Sequence, residues 1–256
     1  MALVLVERVG QCAVLTLNRP AVLNALNTPI LDELDAAIDQ VEASDAQALI
    51  LTGAGRAFCS GTDISGKEPH EGTTEEFAAA RISRMHGLVL RLRDLQQPSI
   101  AVLNGLAYGG GLELALAFTF RIAAPTAVLC MAEINLGLAP SYGATQTLPR
   151  LIGQSRALEM MLTGERMSAE EALRIGLVNA VQEDSVAAAV SFAKRLPNGA
   201  GLAQRVIRQS VARGAHLDLS SALRLEHELV MEIARSPDAR QAGVRFQTRK
   251  RETSGA

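Results

Sequence analysis

Tyr108-Gly109-Gly110-Gly111-Leu112-Glu113-Leu114-Ala115 stands between a short apolar strand-like run, residues 99–103, and an apolar helix that continues to Phe118. Three adjacent glycines let backbone N–H groups come close to a ligand. The start of the following helix adds partial positive charge. Such a turn suits negative charge developing on a carbonyl oxygen. Glu113 falls three residues after Gly110, on the same side of that helix. The pattern is neither a G-x-G-x-x-G dinucleotide fingerprint nor a Walker-type phosphate loop. A tight packing turn with an exposed or paired glutamate would share this sequence, so its meaning depends on the rest of the chain.

Upstream, β-type runs recur at residues 3–6, 13–17 and 48–52. Between the last two the spacing predicts a helix. Thr28 is placed to cap it, Pro29 tolerates the first position, and Ile30, Leu34, Ile38 and Val41 share a face. Strand, helix, strand in that order predicts a βαβ-like crossover within a mixed α/β fold. Residues 66–74 (GKEPHEGTT) are polar and turn-prone and read as a mobile surface loop. A long amphipathic helix follows, with Ala78, Ile82, Met85, Val89 and Leu92 on one face and Pro98 beyond its end. Strands at 121–124, 127–131 and 178–181 and helices at 157–163 and 168–175 complete the pattern. Past Pro197 only helix is predicted. The chain therefore divides into a core, 1–196, and a helical region, 197–256, too small for an independent core.

The 256 residues are 48% hydrophobic and 20% charged, enough to bury a large core. Lys plus Arg number 25 against 27 Asp plus Glu, without the basic excess of a nucleic-acid binder. Cys12, Cys59 and Cys130 form no CxxC pair, and their odd number speaks against a disulfide framework. Reduced thiols and the lack of a signal-like segment or membrane span predict the cytoplasm. A second segment, Ala57-Phe58-Cys59-Ser60-Gly61-Thr62-Asp63-Ile64, offers Cys59 and Ser60 as conceivable nucleophiles, but no histidine lies nearby. His70, His86, His216 and His227 show no metal-ligand spacing, so no metal is expected.

Taken together the segments resemble the crotonase, or enoyl-CoA hydratase/isomerase, superfamily. The matching run begins at Asn18-Arg19-Pro20 and Asn24-Ala25-Leu26 and continues through Phe58 to Asp63 and Asn104-Gly105 to the glycine turn. Glu133-Ile134-Asn135-Leu136-Gly137, Thr145-Gln146-Thr147-Leu148-Pro149-Arg150, Leu162-Thr163-Gly164-Glu165 and Gly176-Leu177-Val178 follow in order, across nearly the whole chain. The resemblance implies a ββα spiral core and a C-terminal helical region that builds trimers, often paired into hexamers. It implies a CoA thioester as substrate, with no separate cofactor, whose carbonyl oxygen lies between the N–H groups of Thr62 and Gly110. The stretch Thr62, Asp63, Ile64 and Ser65 would border the adenine end of CoA. Phe246 and the cluster Arg249, Lys250 and Arg251 stand where related chains hold the nucleotide. Glu113 and Glu133 occupy the positions of the paired hydratase glutamates, Glu113 for the water and Glu133 for the α-proton.

This chain departs from that pattern twice. Pro140-Ser141-Tyr142-Gly143-Ala144 replaces the Pro-Gly-x-Gly-Gly stretch common in hydratases, and Ala132 precedes Glu133 where proline is frequent. Tyr142 is either an acyl-pocket residue or a packing aromatic. The function expected is enoyl-CoA hydration. The alternatives are a Δ3,Δ2-enoyl-CoA isomerase, or a non-catalytic RNA-binding or structural family member.

Overall fold

The computed structural model describes residues 1–65, 73–198 and 200–236. Two compact units divide the chain, Met1–Leu196 and Pro197–Ala256. The first unit opens with a hairpin, β1 (Val4–Val9) and β2 (Cys12–Leu17), paired antiparallel. Helix α1 (Thr28–Glu42) then carries the chain to β3 (Ala48–Gly53), which lies parallel to β2, the expected crossover. Ile30, Leu34, Ile38 and Val41 are all buried, as their spacing predicts. The cap sits one residue earlier than expected. Asn27, not Thr28, accepts the Ile30 N–H, because Asn27 keeps the extended backbone an N-cap needs.

From β3 onward the chain winds in repeated turns, each giving one strand to a large sheet and one to a small sheet before a helix. The first turn is β3, β4 (Ala57–Cys59) and α2 (Thr74–Asp94). The second is β5 (Ser99–Leu103), β6 (Leu106–Tyr108) and α3 (Gly110–Leu116). The third is β7 (Phe120–Ala123) and β8 (Val128–Cys130), then a 3₁₀ turn, Ala132–Leu136, and α4 (Ala144–Ile152). Helix α5 (Gln154–Thr163), β9 (Met167–Ser168), α6 (Ala169–Arg174), β10 (Ala180–Val181) and α7 (Ser185–Ala193) close the unit. This is the ββα spiral anticipated from the sequence. The large sheet has the order β1-β2-β3-β5-β7-β10 and the small one β4-β6-β8-β9. All pairs are parallel except β1 with β2 and β8 with β9.

Buried β-strands explain the uninterrupted apolar runs, since a parallel sheet covered on both faces shows no alternation. Every residue of β3 and β5 is buried. On α2, Met85, Val89 and Leu92 are buried as expected and Ile82 packs against the core, but Ala78 is exposed. The first turns of α2 lie outside the core, which the helical period alone does not reveal. The expected loop at 66–74 falls mostly outside the described residues. Its end is visible, where Thr73 and Glu76 form a reciprocal capping box.

The second unit contains α8 (Gly201–Gly214) and α9 (Leu219–Arg235), joined by an Arg205–Glu232 ion pair at 2.9 Å. Val206 and Leu229 are buried, whereas Ile207, Val211, Leu219 and Leu223 are more than half exposed.

Candidate active site

The spiral brings three separated segments to one place by a simple rule. β4, β6 and β8 are neighbouring parallel strands of the small sheet, so their C-terminal ends point the same way. Thr62 follows the end of β4, Gly110 the end of β6 and Glu133 the end of β8. Residues distant in sequence thus meet at equivalent points on successive turns, the usual place for a site in parallel α/β architecture.

Two backbone N–H groups lie close together here. Leu26 N–H donates to Gly61 O and Asp63 N–H donates to Leu26 O, both at 2.8 Å. This bridge holds the segment on either side of Thr62, and among the described residues the Thr62 N–H has no backbone acceptor. Gly110 opens α3, so its N–H has no intrahelical acceptor. The two donors are adjacent, since a Cβ built on Gly110 would lie 3.6 Å from Thr62 N. Gly109, with φ of 50° and ψ of −128°, makes the turn between β6 and α3. A side chain there would also meet Glu133 Oε1 at 3.2 Å.

Both glutamates arrive at this turn. Glu113, on α3, is only 2% exposed, and its Oε1 accepts the N–H groups of Tyr142 at 2.8 Å and Ala144 at 2.9 Å. Burial raises its pKa, the Ala144 N–H opposes that, and the Glu133 charge raises it again, to about 7. Glu133 sits in the 3₁₀ turn, where burial also raises its pKa. Both its oxygens are shielded from solvent, and weak hydrogen bonding from its own backbone and with Glu113 only partly offsets that burial. Each carboxylate, shielded from solvent, disfavours ionisation of the other, so the pair is suited to hold a base and an acid together.

Tyr142, 3% exposed, is packed over the same turn and places its hydroxyl 2.7 Å from Thr62 Oγ1. Asp63 pairs with Arg19 at 3.0 Å. Burial works against its carboxylate, but hydrogen bonds from Ser65 and Arg19 outweigh that and hold its pKa below the usual value. Ile64 and Ser65 are exposed, so the 62–65 stretch leads from the buried turn to the surface. Phe246, Arg249, Lys250 and Arg251, expected near the nucleotide, lie outside the described residues, as does His70. Cys59 is fully buried, and desolvation pushes its thiol up to about 12, which disfavours the thiolate a nucleophile needs. Among the described residues no group of three or more His, Cys, Asp or Glu side chains is placed to hold a metal.

Residues that carry no chemistry set this geometry, and the chemical motifs alone did not disclose them. Buried Asn24 accepts the Arg19 N–H and donates to the carbonyls of Ala54 and Ala57. Asn104 accepts from Thr52 and Gly53 and donates to Gly55 and Ala57. Both asparagines therefore pin the turn that delivers β4 to the site. Their only sequence signal was membership of the matching motif run.

Residues 7–253 match the family profile described as Enoyl-CoA hydratase/isomerase. The chain is 39% identical over 252 residues to the Short-chain-enoyl-CoA hydratase of Clostridium acetobutylicum, covering 95% of this chain and 94% of that one. It is 36% identical to the Crotonyl-CoA hydratase of Syntrophomonas wolfei, covering 87% and 86% of the two chains. The crystal structure of an enoyl-CoA hydratase from Bacillus anthracis superposes with a TM-score of 0.88 at 33% identity, covering 97% of each chain.

Proposed function

The chain belongs to the enoyl-CoA hydratase/isomerase family, and on that premise we propose that it is an enoyl-CoA hydratase, adding water across the α,β double bond of an enoyl-CoA thioester. The observation that carries this reading is the pair of solvent-shielded, raised-pKa carboxylates beside two backbone N–H groups that have no backbone acceptor among the described residues. In the proposed mechanism the thioester oxygen accepts from Thr62 and Gly110. Their N–H groups stabilise the enolate that forms as the β-carbon is attacked. Glu113 takes the proton of the attacking water, and Glu133 delivers a proton to the α-carbon. The pair ends with as many protons as it began with. The anchored Glu113 is suited to aim a water, because backbone N–H groups fix its carboxylate in one orientation.

The same reading places CoA along residues 62–65, with its adenine end toward exposed Ile64 and Ser65, and the acyl group beside the Tyr142 ring. CoA belongs to the substrate, so no further cofactor is needed. The exposed apolar residues of α8 and α9 support assembly into trimers or paired trimers, which light scattering tests directly. The three buried free cysteines fit a reducing cytoplasm. The direct test is a panel of enoyl-CoA thioesters, short chains first, followed by loss of the conjugated-thioester absorbance. The expected product is heavier by one water. Turnover of a 3-enoyl substrate to its conjugated isomer, without hydration, would instead establish the isomerase.

A further inference from the structure

The two donor N–H groups lie on different turns of the spiral. Pairing between β4 and β6 reaches its last register at Cys59 and Ala107, before either donor. Beyond it, among the described residues, no backbone hydrogen bond joins 60–63 to 109–111. An oxyanion site works only if its donors keep a set separation to within roughly half an ångström. Close packing brings the two segments together, since a Cβ on Gly61 would meet Tyr108 O at 2.9 Å and one on Gly111 would meet Cys59 O at 2.3 Å, but neither contact involves Thr62 itself.

Tyr142 touches both. A Cβ on Gly110 would lie 2.7 Å from both Cδ2 and Cε2 of its ring, so the ring rests directly on the Gly110 backbone. Its hydroxyl meets Thr62 Oγ1 at 2.7 Å. Its own N–H donates to Glu113 Oε1. A phenylalanine would fill the same space. A buried hydroxyl needs a partner, and this one finds it on the residue that bears the other donor.

We propose that Tyr142 is a positioning residue that braces the oxyanion site, its ring fixing Gly110 and its hydroxyl fixing Thr62, so that the two N–H groups converge on one oxygen. This rests on the reading of the site as a thioester site. Tyr142 acts through Thr62 and Gly110 and transfers no proton.

The experiment compares Tyr142→Phe, Thr62→Val and their combination in the full-length protein. Three quantities are read: kcat, KM, and the red shift in absorbance of a conjugated dienoyl-CoA on binding, which reports polarisation of the thioester carbonyl. Each single change should lower kcat roughly tenfold, the scale of one buried hydrogen bond, with KM little altered. Each should shrink the red shift. The double variant should be no worse than either single, because both remove the same contact. Thr62→Ser, which keeps the oxygen, should recover part of the rate that Thr62→Val loses. If Tyr142→Phe does not fold, the Val and Ser pair at Thr62 carries the test alone. Wild-type kcat and red shift in Tyr142→Phe, or a raised KM with unchanged kcat, would overturn the brace. Failure of the wild type itself to hydrate or polarise any enoyl-CoA would be a different result, removing the reading on which the brace rests.

Discussion

Glu113 and Glu133 reach the same glycine turn but are held in opposite ways. One oxygen of Glu113 is tied by two backbone N–H groups, whereas Glu133, its oxygens shielded from solvent, has only weak hydrogen bonding from its own backbone and with Glu113. One carboxylate is fixed in place and the other is poorly satisfied. A poorly satisfied buried carboxyl is costly, and such costs concentrate where a substrate supplies what the protein withholds.

The first consequence is in the pH profile. Burial raises both carboxyl pKa values, and the Glu133 charge raises that of Glu113 further. Activity needs one proton on the pair, so kcat/KM should be bell-shaped around neutral pH. Removing the Glu133 charge removes one cause of the upward shift. In Glu133→Gln, Glu113 should therefore titrate lower than in the wild type, as carbonyl-resolved NMR would show. An unchanged Glu113 titration would mean that the two groups do not sense each other.

A second consequence concerns stability. A glutamate whose folded pKa is raised stabilises the fold fully below its unfolded value of about 4.3, and that contribution is lost as pH rises through the folded pKa. For Glu113 the loss spans the range from its unfolded value up to about 7. Above that range the buried charges oppose folding. Glu133→Leu should thus raise Tm relative to the wild type at pH 8, and raise it less at pH 4, while abolishing activity. Thermal melts at the two pH values measure this. A Leu variant less stable than the wild type at pH 8 would contradict it.

The sequence showed some of this arrangement and hid the rest for physical reasons. The 3.6-residue spacing of Ile30, Leu34, Ile38 and Val41 identified a buried face, and all four are buried. The three-residue strand β6 was not foreseen, since Leu106-Ala107-Tyr108 beside a glycine turn is too short to show a period. Helix α4 was missed as well, and it carries an internal proline, Pro149. Gly110 and Glu113 were legible as neighbours because only three residues separate them. The contact between Thr62 and Tyr142 was not, because it spans 80 residues and depends on how two turns of the spiral stack.

The asparagine supports give a third prediction. Asn24→Ala would leave the part-buried Arg19 N–H and Ala54 carbonyl without this partner, and the Ala57 carbonyl with Asn104 alone. The loss should be about 1–3 kcal/mol by denaturant titration, as several hydrogen bonds of one buried side chain are lost together. Asn104→Ala removes the second hold on Ala57. Because both side chains grip one carbonyl, the double variant should depart from additivity. A loss under about 0.5 kcal/mol for Asn24→Ala, the range of ordinary surface changes, would show that the turn holds itself.

The glutamates also decide between hydration and isomerisation. Gln at either position keeps the size and removes proton transfer. A hydratase that uses both should lose roughly 10²–10⁴-fold in kcat with either single substitution. The groups act on one transition state, so the double variant should lose less than the product of the two singles. An isomerase with a single shuttle at Glu133 would behave otherwise, keeping activity in Glu113→Gln and losing it in Glu133→Gln. The buried anchoring of Glu113 allows a check on misfolding, because a Gln side-chain oxygen can still accept the Tyr142 and Ala144 N–H groups. Glu113→Gln should therefore keep its fold, and any loss of rate belongs to the missing proton transfer. Exchange of the substrate α-proton with deuterated water gives an independent reading. If Glu133 handles that proton, Glu133→Gln should suppress exchange while the thioester still binds. Full hydration by both folded single variants would return the two carboxylates to a purely structural role, and their shared burial beside Gly109 would then have no chemical purpose.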